Sequence, residues 1–414
     1  MIFLLGAGIG YSLFVHSKSV QVFKTEEKNT SKAFLGESYD KIKNNFWDNI
    51  SDAQLIELFK LAAEKNGSRP LPFKIESREK LISEILSVQN DMSDEQKKKF
   101  IPATLGTVLA SLNPAGRSGL YTTKQEEQLK NTVENVNPEK DLYKDLGVSK
   151  GVSSDEVEKA YQTLSEELKK EASPQAQEKL KAITYAKDVL TEEDKKARYD
   201  QKGVEPTIFS KIAVPSILYV QFKKFSPTSY DEFQKVFESY KDDLSLTGLI
   251  FDLRGNIGGA IDATPIFLGH FIGKNAYAFD FYRKGEYLPF KTPTDKLPSV
   301  TRFKQVVILV DGNTQSSAEL MAVSFKKYHV GVVLGVPTKG WGTVERVFPL
   351  ENQIDSSEKY SIFLVHSITL RDDNQPIEGR GVDPDINIKN PDWAQQLFSY
   401  FRNNQLIDAV KNTI

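Results

Sequence analysis

The strongest constraint on the fold is a set of short apolar segments that each end in a polar turn. They are LTGLIFDLR (246–254), QVVILVD (305–311) and GVVLG (331–335). Runs of this length are typical of strands buried on both faces. Because helical patterns such as Tyr230–Tyr240 alternate with them, we expect an α/β core with a mixed sheet and flanking helices. Two longer segments, Thr343–Leu350 and Tyr360–Leu370, surround a polar loop and predict a β-hairpin.

The chain before Gly203 has a helical texture. Tyr39, Ile42 and Phe46 recur at helical spacing, and Ser51 with Gln54 predicts a capping box. A second helical unit, with its own apolar stripes, follows after residue 141. We therefore divide the chain into an N-terminal membrane anchor or signal segment (1–17), a polar linker (18–37), an all-α region (38–137), a small helical insert (138–205), the α/β core (206–392) and a C-terminal helix (393–414).

The first residues predict the location of the protein. Ile2–Val15 is an uncharged apolar run of roughly 21 Å as a helix, short of the ~30 Å hydrocarbon core of a bilayer. No basic residue precedes it, and a polar stretch follows it. We expect a membrane anchor with the rest of the chain on the extracytoplasmic side; a cleaved signal peptide and a buried core segment are the alternatives.

Composition excludes several chemistries. The chain has no cysteine, so disulfides, thiol catalysis and thiolate metal sites are excluded. Four histidines are too few to favour a histidine-rich metal cluster, and we expect neither a metal nor a cofactor. The 54 Lys and Arg residues balance 56 Asp and Glu residues, so the chain lacks the basic footprint of a nucleic-acid-binding protein.

The turn after the 305–311 strand carries the strongest candidate for chemistry. It places Ser316 and Ser317 at the start of a predicted helix, where free backbone N–H groups can bind an oxyanion. The turn Gly258-Gly259 also follows a buried strand and offers further amides. The alternative is structural: Ser316 caps the helix and Glu319 completes a capping box.

Four motifs, in order, carry a family resemblance. They are GLIFDLRGNIGG, QVVILVDGNTQSSAE, GVVLGVPTKGWGTVE and QPIEGRGVDPDI. With these motifs the chain resembles the tail-specific, or carboxy-terminal processing, serine proteases of peptidase family S41. The resemblance implies a ClpP/crotonase-like α/β protease core. It implies Ser316 as the nucleophile, and an oxyanion hole from the amides of Ser317 and of Gly258 or Gly259.

The catalytic base departs from that family. Its members use Lys and Gln at the positions that Trp341 and Glu345 occupy here, and Lys327 replaces an acidic residue often found eleven residues after the nucleophile. Tryptophan cannot accept a proton from serine. Three possibilities remain open for the base: His366 held by Glu345, Lys339, or no base at all. If Glu345 lies across the hairpin from His366, the two form a histidine–carboxylate pair beside Ser316. Lys339, two residues before Trp341, is the other base, and burial would have to depress its pKa.

The helical insert resembles a J-domain where the family usually carries a PDZ domain. DLYKDLGV, EVEKAYQTL and AKDVLTEEDKKARYDQKG carry this resemblance. The His-Pro-Asp tripeptide of J-domains aligns with Lys169-Lys170-Glu171. We therefore do not expect coupling to a heat-shock chaperone. The insert is then a spacer, a dimerisation module, or a replacement for PDZ that docks the substrate tail.

Together these observations predict a membrane-anchored serine endopeptidase that cleaves polypeptide tails. Ser316 is the nucleophile, and His366 with Glu345 acts as the base. The alternative is a catalytically inactive protein that binds peptide tails as an adaptor. The expected partners are polypeptide substrates and the membrane. Homo-oligomerisation stays open.

Overall fold

The computed structural model describes residues 23–171, 173–354, 356–371 and 373–414. Its N-terminal part is a helical bundle of α1 (Phe23–Asn45), α2 (Asp52–Gly67), α3 (Arg78–Val88) and α4 (Asp94–Ser111), with a 3-10 turn at Gln89–Asp91. Ser51 and Gln54 form the predicted capping box at the start of α2. Helix α1 begins upstream of the boundary expected at Ser38. Phe34 and Leu35 lie in the bundle core, because their apolar side chains extend the face that Ile42 begins.

The small helical insert contains α6 (Leu142–Asp145), α7 (Ser154–Lys169), α8 (Pro174–Leu190) and α9 (Glu193–Lys202). Its apolar stripes meet in a separate core that includes Leu142, Val157, Ile183 and Leu190. Helix α7 begins at a capping box formed by Ser153 and Glu156, which satisfies its first backbone amides. The insert is therefore a small domain with its own hydrophobic core.

The core contains a six-stranded sheet, in the order β11-β8-β7-β4-β3-β2. Its strands are β2 (Ile208–Val214), β3 (Ile217–Phe222), β4 (Gly248–Asp252), β7 (Gln305–Val310), β8 (Val332–Gly335) and β11 (Ile386–Asn387). All neighbours are parallel except β2, which pairs antiparallel with β3 and forms one edge. The predicted mixed sheet is therefore confirmed, with the three short apolar segments at its centre.

A second, antiparallel sheet joins the core to the N-terminal region. It contains β1 (Gly119–Thr122), β5 (Tyr277–Arg283), β6 (Glu286–Lys291), β9 (Thr343–Pro349) and β10 (Tyr360–Leu370). The predicted hairpin is β9 with β10. Strand β1 adds to β10 from the region that the sequence predicts as all helical, and α5 (Thr123–Glu134) follows it. The N-terminal region thus completes a sheet of the core.

The remaining helices cover the sheets. They are α10 (Ser229–Ser239), α11 (Thr264–Ile272), α12 (Pro298–Thr301), α13 (Ser317–Lys327), α14 (Trp393–Phe401) and α15 (Asn404–Lys411), with a 3-10 turn at Ile261–Ala263. The single C-terminal helix expected over 393–414 is two helices. In the described ranges no helix is both long and apolar enough to cross a bilayer. The apolar run at residues 2–15 lies outside those ranges.

Candidate active site

Ser316 lies in a strained turn between β7 and α13. Its backbone has φ 57° and ψ −125°, a region that non-glycine residues rarely occupy. Such a conformation costs on the order of 1–3 kcal/mol and persists only where surrounding contacts hold it. Ser316 and Glu319 form the predicted capping box at the start of α13, in which the Ser316 side chain faces the Glu319 amide. The turn therefore presents a strained serine that caps the start of a helix.

The side chain of Glu319 holds this turn in place. Its buried carboxylate accepts hydrogen bonds from the amides of Ser316 (2.8 Å), Gly340 (2.7 Å) and Trp341 (2.8 Å), and from the Thr338 hydroxyl (2.5 Å). Burial raises the pKa of Glu319, while these hydrogen bonds act in the opposite direction. One carboxylate thus fixes the serine turn against the loop that carries the family's base position.

The glycine turn lies directly against Ser316. A methyl group on Gly258 would lie 2.7 Å from Ser316 Cβ and 3.1 Å from Ser316 Oγ. The two candidate amides of this turn differ, because Gly258 N–H donates to Asn256 Oδ1 at 2.8 Å. Among the described residues the amides of Gly259 and Ser317 have no acceptor, and the Ser317 hydroxyl donates to the Gly259 carbonyl at 3.3 Å. Of the predicted oxyanion donors, Gly259 and Ser317 are therefore the ones whose amides are not already engaged among the described residues.

Trp341 and Glu345 occupy the two base positions of the family and contact each other. Trp341 Nε1 donates to Glu345 Oε1 at 3.1 Å, and Thr343 Oγ1 donates to the same oxygen at 2.5 Å. Burial raises the pKa of Glu345, which these hydrogen bonds and the charge of Arg117 partly offset. The Arg117 guanidinium lies 3.6 Å from the Trp341 ring centre. This geometry keeps the indole in a well-packed position.

The predicted register of the β9–β10 hairpin is wrong where it places Glu345 opposite His366. Glu345 pairs with Val365, and Val344 pairs with Ser367, so His366 is the extra residue of a β-bulge. His366 stacks on Phe348, with the ring centres 6.5 Å apart, and its Nδ1 lies 2.9 Å from Ser367 Oγ. Phe348 and Glu345 point to opposite faces of β9, because side chains alternate along a strand. The expected Glu345–His366 pair is therefore not formed.

The environment of His366 also makes it a poor base. Burial, with the nearby charges of Arg346, Arg283 and Lys284, lowers the pKa of His366 to about 4. A general base is most effective when its pKa lies near the working pH. At neutral pH this imidazole is uncharged and has little tendency to take a proton from serine.

Lys339 is held near the site by its backbone only. Its amide donates to the Thr314 carbonyl at 2.9 Å, while its side chain is exposed. A lysine becomes a base when burial disfavours its charged form. The exposure of Lys339 removes the condition on which that alternative depends.

Arg117 and Glu378 also contact this part of the site, and the sequence-based prediction of the site includes neither. Arg117 comes from the turn before β1, and its guanidinium donates to Glu378 Oε1 from Nε (3.0 Å) and Nη2 (2.8 Å). Glu378 also accepts from the Gly342 amide at 2.7 Å. Glu378 lies in QPIEGRGVDPDI, one of the four motifs that carry the family resemblance, and this motif was the available signal. The contact with Arg117 joins two distant parts of the chain, so no local pattern indicates it.

Two segments of the chain match known family models. Residues 216–388 match the model of peptidase family S41, and residues 141–200 match the DnaJ domain model. The core of the chain is thus similar to peptidase family S41, and residues 141–200, called the J-domain below, are similar to the DnaJ domain.

The similar proteins agree with this assignment. The carboxy-terminal processing protease CtpA of Bacillus subtilis is 28% identical over 191 residues, which cover 46% of this chain and 38% of that protein. The carboxy-terminal-processing protease of Bartonella bacilliformis is 23% identical over 177 residues, covering 42% and 39% of the two chains. This chain thus spans about two fifths of the length of either relative. The chaperone protein DnaJ of Cereibacter sphaeroides is 46% identical over 67 residues, covering 16% of this chain and 18% of that protein.

The fold also has a solved relative. The photosystem II D1 C-terminal processing protease superposes with a TM-score of 0.50 at 13% identity, over 86% of this chain and 92% of that one. At this identity the likeness concerns the fold alone.

Proposed function

We propose that this chain is a serine-type peptidase of the carboxy-terminal processing kind, with a slow acylation step. The observation that carries the proposal is the turn of Ser316, which has a strained backbone and is held at the start of α13 by the hydrogen bond from its amide to Glu319. Ser316 Oγ attacks the carbonyl carbon of the scissile bond. The amides of Ser317 and Gly259 stabilise the negative charge that develops on the carbonyl oxygen.

Proton transfer is the weak step of this mechanism. The serine proton must leave as the new C–O bond forms, and the departing amine must gain a proton. General acid–base catalysis contributes about 10²- to 10⁴-fold to such steps. Trp341 supplies none of it, so protons are exchanged with water. An oxyanion hole and substrate binding alone retain about 10³- to 10⁴-fold over the reaction in water, which is why we propose slow rather than absent acylation.

The substrates we propose are the C-terminal tails of polypeptides. The similarity of the chain to carboxy-terminal processing proteases supports this class of substrate.

We further propose that residues 2–15 hold the protein at a membrane with its core on the extracytoplasmic side. The uncharged apolar run and the polar stretch after it support this location. Release of the full chain from isolated membranes by alkaline carbonate, as readily as release of a variant lacking residues 2–15, would rule out the anchor.

The test is covalent labelling by a fluorophosphonate probe, which reacts with activated serines. We expect slow labelling of the wild type that Ser316→Ala abolishes. The double variant Trp341→Lys/Glu345→Gln, which places the family's base pair in this site, should label at least tenfold faster. Lys339→Ala and His366→Gln should label as the wild type does, because neither side chain is placed as a base. Labelling that persists in Ser316→Ala, or that requires His366 or Lys339, contradicts the proposal.

A second candidate function is a protein that binds peptide tails without cleaving them. The packing of Trp341 favours it, because the indole is fixed by Glu345 and by Arg117 at the position of the base. No labelling of the folded wild type, together with labelling of the Trp341→Lys/Glu345→Gln variant, would support this candidate over slow cleavage.

A further inference from the structure

A cleft of about 1060 Å³ separates the J-domain from the edge of the six-stranded sheet. Helices α8 and α9 form one wall, and β2, β3 and α10 form the other. Tyr185 and Arg198 line the J-domain side, and Phe209, Lys211, Tyr219 and Lys223 line the core side. The cleft thus combines aromatic rings with basic side chains.

Strand β2 brings an open backbone edge into this cleft. Among the described residues it pairs only with β3. The Thr207 carbonyl accepts from the Lys223 amide, so it faces β3, whereas the Ile208 amide donates to Glu232 and faces away. Backbone groups alternate along an antiparallel strand, so those of Ser210 and Ile212 point away from β3. An open edge of this kind can accept an extended peptide as an additional strand.

The basic side chains in the cleft differ in whether they have a carboxylate partner. Arg198 pairs with Glu232, Lys235 with Asp194, and Lys195 with Glu192. Within the described residues Lys223 and Lys211 form no ion pair. The ammonium group of Lys223 lies over the rings of Phe209 (4.5 Å) and Tyr185 (4.6 Å). Burial, and then the charge of Lys140, lowers the pKa of Lys223.

The two acids whose charges act on the pKa of Lys223, Glu205 and Asp188, are engaged elsewhere. Glu205 accepts from Lys140 Nζ at 3.1 Å and from the Tyr185 hydroxyl. Asp188 pairs with Lys187 at 2.8 Å. A partly buried cation without a carboxylate partner, beside apolar rings and an open strand edge, is complementary to an extended chain that ends in a carboxylate.

We propose that this cleft binds the C-terminus of a polypeptide, whose backbone adds along β2 and whose terminal carboxylate pairs with Lys223. This inference rests on the proposed function, since it assigns the place where the J-domain and core together hold the tail of a substrate. It gives the J-domain a role that does not need the missing His-Pro-Asp tripeptide.

The experiment measures retention of randomised decapeptides on the immobilised full chain carrying Ser316→Ala. One pool has free C-terminal carboxylates, and the other has C-terminal amides. We expect at least tenfold greater retention of the free acids, and loss of this preference in Lys223→Gln. Lys181→Gln is the matched control, because Lys181 lines the same cleft but is exposed and paired with Glu178. Equal retention of both pools, or equal effects of the two substitutions, overturns the proposal. Retention of amidated peptides enriched in Asp and Glu would also overturn it, in favour of an acidic side chain as the ligand.

A second variant tests the strand edge independently of Lys223. Ser210→Pro removes an outward-facing N–H without removing a hydrogen bond to β3. It should reduce the retention of free-acid peptides severalfold. Unchanged retention in a folded Ser210→Pro variant contradicts the addition of the peptide to β2. Fluorophosphonate labelling of Ser316 separates the two proposals: labelling without peptide retention contradicts only the cleft, and retention without labelling contradicts only the peptidase.

Discussion

The position of the Ser316 hydroxyl depends on the absence of a side chain at Gly258. Gly258 has φ 82°, and its Cα lies so close to Ser316 that any β-carbon would collide with the serine. Gly255, three residues earlier, has a similar φ of 68° but has no atom within 4 Å of an added β-carbon. An alanine at Gly255 would cause backbone strain only, whereas an alanine at Gly258 would cause the same strain and also displace Ser316.

We predict that Gly258→Ala abolishes fluorophosphonate labelling, whereas Gly255→Ala preserves it. Both substitutions should lower the free energy of unfolding, by about 1–2 kcal/mol for the left-handed backbone alone. Urea denaturation monitored by tryptophan fluorescence gives the stability of each variant, and labelling is then compared on folded protein. Equal labelling of the two variants would show that the contact between Gly258 and Ser316 does not position the nucleophile.

At the scale of elements, the site depends on the attachment of α13 to the loop that precedes β9. Glu319 makes that attachment from the first turn of the helix, with a carboxylate that is 0% exposed. Both oxygens of this carboxylate accept hydrogen bonds from surrounding donors. A side chain of similar size that carries a donor, such as glutamine, cannot form the same set of hydrogen bonds. A β-bulge in β10 is equally important, because the insertion of His366 rotates that side chain towards Phe348 and away from Glu345.

We predict that Glu319→Gln destabilises the protein by about 2–4 kcal/mol, since an amide group would direct a donor at backbone donors in a buried site. Thermal and urea unfolding measure the loss. Glu238→Gln is the control, because Glu238 pairs with Lys241 at the surface and exposed pairs contribute about 0–1 kcal/mol. A loss for Glu319→Gln no larger than that of the control would mean that the carboxylate does not hold the turn.

At the scale of the whole molecule, the N-terminal region shares one hydrophobic core with strand β10, which contributes Ile362, Leu364 and Val365. The N-terminal region contributes β1 to a sheet of the core and Arg117 to the neighbourhood of Trp341. The J-domain is attached through Glu232, which is 6% exposed. Glu232 accepts from the amides of Thr207 (2.7 Å) and Ile208 (3.0 Å) and from Arg198 of α9 (3.2 Å). Docking of the J-domain and the start of β2 are therefore coupled.

We predict that Glu232→Gln loosens this attachment. Amide hydrogen exchange in α9 and at the start of β2 should become at least tenfold faster, because one acceptor oxygen is replaced by a donor and the charge facing Arg198 is lost. Lys235→Gln is the matched control on the same helix, as it removes only an exposed pair with Asp194. Equal exchange in the two variants would show that the J-domain is held by other contacts.

Much of the candidate site was accessible from local sequence patterns. Short segments of sequence predict the apolar strands, the Ser-rich turn and the glycine turn. A strand buried on both faces is a continuous apolar run, and the start of a helix has its own local pattern of residues. The replacement of the family's Lys and Gln by Trp341 and Glu345 was also legible in the sequence. The contact between those two residues was not, because it depends on how the 338–341 loop is bent by Glu319.

The sequence by itself determined the order of the strands along the chain, the residue types in the two turns and the loss of the family's base. Only the tertiary structure decided which amides are unengaged, since the Asn256 side chain occupies the amide of Gly258 and leaves that of Gly259. It alone decided that Glu345 and His366 lie apart. A one-residue bulge reverses the face of a side chain, and strand pairing over twenty residues contains no local signal that fixes such a bulge.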